Sequence, residues 1–319
     1  MKKKKICILL TSIGGEMGPQ LINCFRNTKV FSKIKIIGID KKKNVTAKFF
    51  LDNYYQVPSA NSNKYIKKVK KIIKSESVNL IIPLSDEESL SISKNLSDYQ
   101  NLVIASSPYH ILKVLSNKIE TYKILEKNGI KTPLWFEIKS SKELKIKMNL
   151  FRLKKKNYCL KPSVSRGGRD VFIVNDKLKK KINFQGSREV HLNSKIFLKE
   201  YLSSLKNKYP LIIMEKLKEP VYDLDILSNR GKTVTYVARR RINSALPNEG
   251  HVIVNSTQLK KIAFKLSKIF DLNYLHDCDL MLDNNKKFKI LEINPRPSGS
   301  FSIGVEAGVP LTENILKLY

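Results

Sequence analysis

The chain has 319 residues, 42% hydrophobic and 28% charged, enough for a sizeable core divided into two or three compact units. Its 60 Lys and Arg against 28 Asp and Glu give a formal charge of +32; the lysines recur throughout rather than in a tail or an aromatic-basic motif, so a solvated basic surface is expected and a specific nucleic-acid partner is not. No apolar run approaches the roughly 20 residues of a membrane helix, ICILL after the leading lysines is too short for a signal peptide, and Cys7, Cys24, Cys159 and Cys278 lack CxxC spacing, which fits a reducing cytoplasm.

Ile6 to Thr11 reads as a first buried strand. It opens an alternation of short apolar runs (KIKIIGID, VNLIIPLS, NLVIAS) with helix-like segments (GPQLINCFRN, YIKKVKKIIKSE, DEESLSISKNL). Continuous apolar strands separated by amphipathic helices imply a parallel sheet covered on both faces. Ser85 and Glu88 have the spacing of a capping box. Ile36 to Asp40 ends in an acid like the second strand of a nucleotide-binding unit, but Gly14, Gly15 and Gly18 miss the GxGxxG spacing, so the expectation is a tight strand-to-helix turn. From Ser106 the texture changes. A helix through Ile119, Tyr122 and Leu125 stops at Gly129, and the segments YCLKP, LIIMEKL, YDLDILSNRGKTVTYVARRRI and DLMLDNNKKFKILEINPR suggest antiparallel strands with hairpin turns at Asn229 to Gly231 and Asn284 to Lys286, separated by a helix near Leu259 to Phe270.

The last hairpin carries the chemistry. Antiparallel pairing around DNNKK sets Asp279 opposite Glu292, and two-residue alternation puts Asp279, Glu292 and Asn294 on one face with Leu280, Leu282, Leu291 and Ile293 on the other. Two carboxylates and an amide repel unless a hard cation lies among them, and oxygen donors suit Mg²⁺.

KILEINPRPSG closely resembles the metal-binding strand of the ATP-grasp superfamily, in which E-x-N-P-R ends the nucleotide site, and the resemblance extends over nearly the whole chain. It implies an α/β fold: an N-terminal parallel-sheet domain preceding ATP-grasp, residues 1–105, then a two-lobed α+β ATP-grasp fold, residues 106–319, with a lid lobe at about 121–213 and a metal-binding lobe at about 214–319. The stretch SNK, with Lys118, and the strand YCLKP, with Lys161, resemble the two nucleotide lysines, and SVSRGGRDV, with Ser165, Gly167 and Gly168, resembles the glycine-rich flap over the phosphates. Glycines let backbone N–H groups approach phosphate oxygens, and lysines add mobile point charges. LIIMEKL resembles the hinge strand whose backbone at Glu215, Lys216 and Leu217 meets adenine; the ribose-binding acid that often follows is replaced by Val221. The strand with Arg239, Arg240 and Arg241 resembles the carbamoyl-phosphate-synthase-like branch, as do the N-terminal runs, while Asp279 stands where that branch often has glutamine.

The resemblance implies a ligase that uses ATP and Mg²⁺ or Mn²⁺ to activate a carboxylate as an acyl phosphate and join it to an amine, with small-molecule substrates, no membrane partner and a possible homodimer. Arg296, with Arg239 and Arg241, is the expected catalytic set, orienting the carboxylate or acyl phosphate. Bicarbonate or carbamate phosphorylation and a non-catalytic ATP-binding regulator are the alternatives. His110, His191 and His251 are isolated, and alternation splits His276-Asp277-Cys278-Asp279 between two faces.

Overall fold

The computed structural model describes residues 5–165, 170–184, 189–244, 246 and 248–319, with the side chains of residues 206 and 207 outside the description. Gly167 and Gly168 lie outside the described residues.

Five strands, β1 (Ile6–Leu10), β2 (Ile34–Asp40), β3 (Asn53–Gln56), β4 (Leu80–Ile82) and β5 (Val103–Ile104), form a wholly parallel sheet in the order β3-β2-β1-β4-β5. The central strand is buried along its length, and its alternation divides it: Ile6, Ile8 and Leu10 enter one core, Cys7 and Leu9 the other. Helices α1 (Gly18–Arg26), α2 (Tyr65–Glu76) and α3 (Asp86–Asn95) supply the crossovers that parallel pairing requires. Asp40 closes the first turn, accepting the N–H of Gly14 at 2.8 Å and that of Lys42 at 2.9 Å. A Cβ on Gly14 would stand 2.6 Å from Val45 Cγ1, which explains the glycine. Ser85 caps α3 by accepting from Glu88 N–H, but the Glu88 carboxylate turns away into the sheet end, where Thr11, Tyr65 and Ser85 hydroxyls donate to it at 2.6, 3.1 and 2.8 Å.

After α4 (Tyr109–Ser116) and α5 (Lys118–Lys127), six strands make a second sheet: β6 (Trp135–Ile138), β7 (Tyr158–Pro162), β8 (Phe172–Val174), β9 (Ile182–Asn183), β10 (Val190–Leu192) and β11 (Leu211–Glu215), in the order β6-β11-β7-β8-β10-β9. Helices α6 (Ser141–Leu153) and α7 (Ser194–Glu200) cover it through Leu144, Met148, Phe151 and Phe197.

The third sheet, β14-β13-β12-β15-β16, is antiparallel throughout: β12 (Lys218–Asn229), β13 (Lys232–Arg241), β14 (His251–Ile253), β15 (Tyr274–Leu282) and β16 (Phe288–Asn294). Arg230 and Gly231, at φ 45° and 75°, make the β12–β13 turn, whose positive φ values match the twist of a two-residue hairpin. Helix α8 (Thr257–Ile269) packs Leu259, Ala263 and Leu266 on the apolar face of this sheet with Leu224, Ile226, Cys278 and Leu280. Helices α9 (Ser302–Glu306) and α10 (Leu311–Leu318) return to the first domain, so Leu311, Ile315 and Leu316 share one core with Ile8, Phe25, Leu227 and Leu275. That return joins the N-terminal sheet to the third one.

Candidate active site

The expected hairpin register is the observed one: Asp279 pairs with Glu292, and Asp277 with Asn294. Beyond Asp279 the ladder shifts by one, so that Leu280 faces Ile290. The extra residue is Leu291, expected on the core face; it is half-buried, touching that core and also Leu217, Val221 and Met281, while Ile290 takes the fully buried core position. A bulge re-aims a side chain in this way without interrupting the sheet.

Glu292 meets two cations from different elements. Lys118, the first residue of α5, is placed by its neighbour Asn117, whose side chain accepts the N–H groups of Ile119 and Glu120. Its Nζ lies 3.3 Å from Glu292 Oε2 and donates to the carbonyl of Ser165 at 2.8 Å. Lys161, on β7, brings its Nζ to 3.9 Å from the same oxygen. Burial would raise the Glu292 pKa, but Lys118 and Lys161 outweigh it and hold the carboxyl at about 2. Burial also lowers the Lys118 pKa, partly offset by Glu292. Of Ser165, Gly167 and Gly168 in the expected flap, only Ser165 is described; its Oγ donates to the Pro162 carbonyl at 3.3 Å.

The remaining polar face extends over four strands. β12–β15 pairing sets Asp223 opposite Asp279 and Asp225 opposite Asp277, so four carboxylates line adjacent strands. Carboxylate oxygens of Asp223, Asp277 and Asp279 lie within 4.8 Å of one another. Arg241 spans two of these acids, donating to Asp223 through Nε at 2.9 Å and to Asp279 Oδ1 through Nη2 at 2.9 Å. Arg239 is fully buried: Nη2 sits 2.7 Å from Asp225 Oδ2, and Nη1 donates to the Ser300 carbonyl and hydroxyl at 3.1 and 2.9 Å. Arg239 thus fixes the turn after Pro297, whereas Arg241 reaches the expected metal face. Three guanidinium groups reach these four carboxylates, Arg296 through Asp277, and do not fully neutralise them. Burial, reinforced by Asp223 and Glu292 and opposed by Arg241, pushes Asp279 up to about 7; burial likewise pushes Asp225 up to about 6, against the pull of Arg239.

Arg296 leaves the end of β16 and crosses to the N-terminal domain. Its Nε donates to Asp86 Oδ1 at 3.1 Å, at the first residue of α3, and its Nη1 donates to the Pro297 carbonyl at 3.0 Å and lies 3.6 Å from Asp277 Oδ2.

The expected hinge follows β11. Glu215 N–H donates to the Leu134 carbonyl, Lys216 N–H to that of Asn157, both at 2.9 Å, and the Glu215 carboxylate accepts from Leu134 N–H and pairs with Lys156. Leu217, Val221 and Met281 form a small apolar cluster beside it, with Val221 7% exposed. That wall suits the face of a flat ring, while Val221 offers no acceptor to a hydroxyl.

The structure therefore brings Lys118, Lys161, Asp279, Glu292, Asn294, Arg241 and Arg296 to one region and keeps Arg239 beneath it. The sequence reading missed Asp86, Asp223, Asp225, Asp277, Ser298 and Ser300. Asp223 and Asp225, like Asp277 and Asp279, show the two-residue spacing that marks a shared face, so part of that signal was available. The four cysteines are buried and unpaired. No helix among the described residues is long and apolar enough to cross a membrane.

Residues 207–319 match the family described as ATP-grasp in the biosynthetic pathway with Ter operon, and residues 8–104 match the PylC-like N-terminal domain. Among solved structures, the chain is similar to N5-carboxyaminoimidazole synthetase from Staphylococcus aureus complexed with ADP, at 14% identity and a TM-score of 0.69, covering 99% of this chain and 78% of that one. It is similar to a biotin carboxylase from Campylobacter jejuni at 13% identity and a TM-score of 0.71, covering 98% and 70%. An L-amino acid ligase from Bacillus licheniformis shares 14% identity, with a TM-score of 0.66 and coverage of 99% and 74%. Likeness at these identities is likeness of fold. No curated protein matches the chain.

Proposed function

We propose that this chain, whose residues 207–319 match an ATP-grasp family and whose fold is like that of N5-carboxyaminoimidazole synthetase, is an ATP-dependent ligase joining a carboxylate to an amine. The observation that carries this reading is the meeting of Lys118 and Lys161 on Glu292, opposite Asp279. Two lysines from separate elements on one carboxylate form a site in which phosphate oxygens exchange for the carboxylate.

The donor set of Asp279, Glu292 and Asn294 fits Mg²⁺ or Mn²⁺, because the surrounding acids outnumber the arginines and all three donors are oxygens. When bound, such a cation would be held by Asp279, Glu292 and Asn294 and would supply positive charge to neutralise what develops on the phosphates. The chain's own residues do the rest. Lys118 and Lys161 bind the phosphates, the hinge at Glu215, Lys216 and Leu217 with its apolar wall takes the base, and Arg296 orients the carboxylate. The carboxylate oxygen then attacks the γ-phosphorus, the bond to the β-phosphate oxygen breaks, and ADP leaves; the amine displaces phosphate from the acyl phosphate and loses a proton. Positioning and charge neutralisation suffice for this chemistry. Arg241 holds Asp279 in place, and Arg239 supports the Ser298–Ser300 turn beside Arg296.

The test is a coupled ADP-release screen over amino acids, sugar acids and small dicarboxylates paired with amines, with Asn294→Ala as control. ADP with inorganic phosphate supports the acyl-phosphate route, whereas AMP with pyrophosphate would remove it.

A further inference from the structure

Asp277 lies outside the donor set named above, yet it stands between that set's amide and its arginine. It faces Asn294 across the β15–β16 ladder, and Asn294 Nδ2 donates to its Oδ2 at 2.9 Å. Arg296 Nη1 lies 3.6 Å from the same oxygen. Asp277 is 4% exposed, and its second oxygen has no hydrogen-bond partner among the described residues.

An asparagine side chain has two unlike ends, a donating NH₂ and an accepting carbonyl, and only the carbonyl can meet a cation. Which end faces the cation is set by what the other end meets. Two donors, Asn294 Nδ2 and Arg296 Nη1, converge on Asp277 Oδ2, so that oxygen is taken up as an acceptor. Asn294 must then turn its NH₂ toward Asp277, leaving its carbonyl oxygen for the cation. We propose that Asp277 is a positioning residue that fixes the amide orientation of Asn294 and so makes Asn294 a divalent-cation ligand. This rests on the reading of Asp279, Glu292 and Asn294 as a nucleotide-linked cation site.

Replacing Asp277 by asparagine tests the claim at constant shape. An asparagine there can donate as well as accept, so the Asn294 amide is free to present its NH₂ to the cation. The reciprocal double variant, Asp277→Asn with Asn294→Asp, restores a single arrangement, because the new carboxylate on β16 has only acceptors and the new amide on β15 can donate to it.

The measurement is Mn²⁺ binding to the full chain saturated with ADP, read from free Mn²⁺ by electron paramagnetic resonance, with circular dichroism confirming each fold. Loss of a hydrogen bond that orients a ligand weakens metal binding by about 10- to 100-fold. That loss is expected for Asp277→Asn, with recovery to within about threefold of the native chain in the double variant. Asp277→Ser, which is too short to reach the amide, is expected to lose as much and replaces the Asp277→Asn variant should that one not fold. Native affinity in Asp277→Asn, or a loss that the double variant does not recover, overturns the proposal. A native chain that binds ADP but no Mn²⁺ would instead remove the cation site itself, and this proposal with it.

Discussion

The Lys118 ammonium and the Glu292 carboxylate lie 3.3 Å apart, and they come from the start of a helix and the interior of a strand that are far apart in sequence. The lysine is 7% exposed and the glutamate 26%, so the carboxylate is the more open member of the pair. Each is the other's charge partner, with Lys161 as a second cation for Glu292. A ligand that carries both phosphate and cation replaces both partnerships at once, which leaves no buried charge alone.

Glu292→Gln separates charge from shape. Glutamine still accepts from Lys118 Nζ, so the thermal midpoint is expected to move by only about 2–4 °C. ADP release is expected to fall by about 10²- to 10³-fold, in line with the loss of one charge-stabilising group. A coupled assay and a thermal melt on the same preparation check the two halves, and near-native turnover would sink the assignment.

Arg239 is expected to behave as a structural residue. Arg239→Ala leaves the fully buried Asp225 without its cation and the Ser300 groups without their donor. Removing one partner of a buried pair costs about 3–5 kcal/mol. Urea unfolding should show a loss of that size; an unchanged midpoint would mean that Asp225 is neutral or finds another partner.

The Asp86–Arg296 bond crosses between the N-terminal domain and the end of the metal strand. Asp86→Ala should let the guanidinium wander, raising the KM for the carboxylate found in the screen by about tenfold while ADP affinity stays native. Isothermal titration with ADP and steady-state kinetics decide it. Equal losses in both would place Asp86 in general folding rather than in substrate orientation.

Glu76 gives a pH dependence whose sign can be worked out. Its buried carboxylate accepts from Lys35 Nζ at 2.6 Å, from Asn53 Nδ2 at 2.9 Å and from the Tyr55 hydroxyl. Burial favours the neutral acid, but these donors outweigh it and hold the pKa below the usual 4.5. The unfolded chain therefore binds the proton first, and the stability that Glu76 contributes is present above the unfolded value and lost as pH falls through the folded one. Melts at pH 6 and pH 4 should show a smaller acid-induced drop in Glu76→Gln than in the native chain, and equal drops would refute the assignment.

Much of the site was legible in sequence because it depends on parity. A strand alternates, so Glu292 and Asn294 had to share a face, and a short hairpin sets its own register, so Asp279 had to oppose Glu292. The family resemblance pointed to Lys118, Lys161 and the expected hinge. These features are local, or rest on a resemblance that local motifs carry.

The rest was decided by pairings between distant segments. Nothing near Asp223 or Asp225 indicates that β12 lies beside β15 with Asp223 opposite Asp279, and nothing near Arg239 indicates that it is buried on Asp225 while Arg241 reaches the open face. The bulge at Leu291 breaks a strict alternation for a reason that appears only in the ladder. Asp86 meets Arg296 because the C-terminal helices pack back onto the first domain. Sequence alone determined which residues have the chemistry and which neighbours on a strand share a face; only the tertiary structure decided which charges are paired, because ion pairs form between whatever groups the packing of separate elements brings within reach.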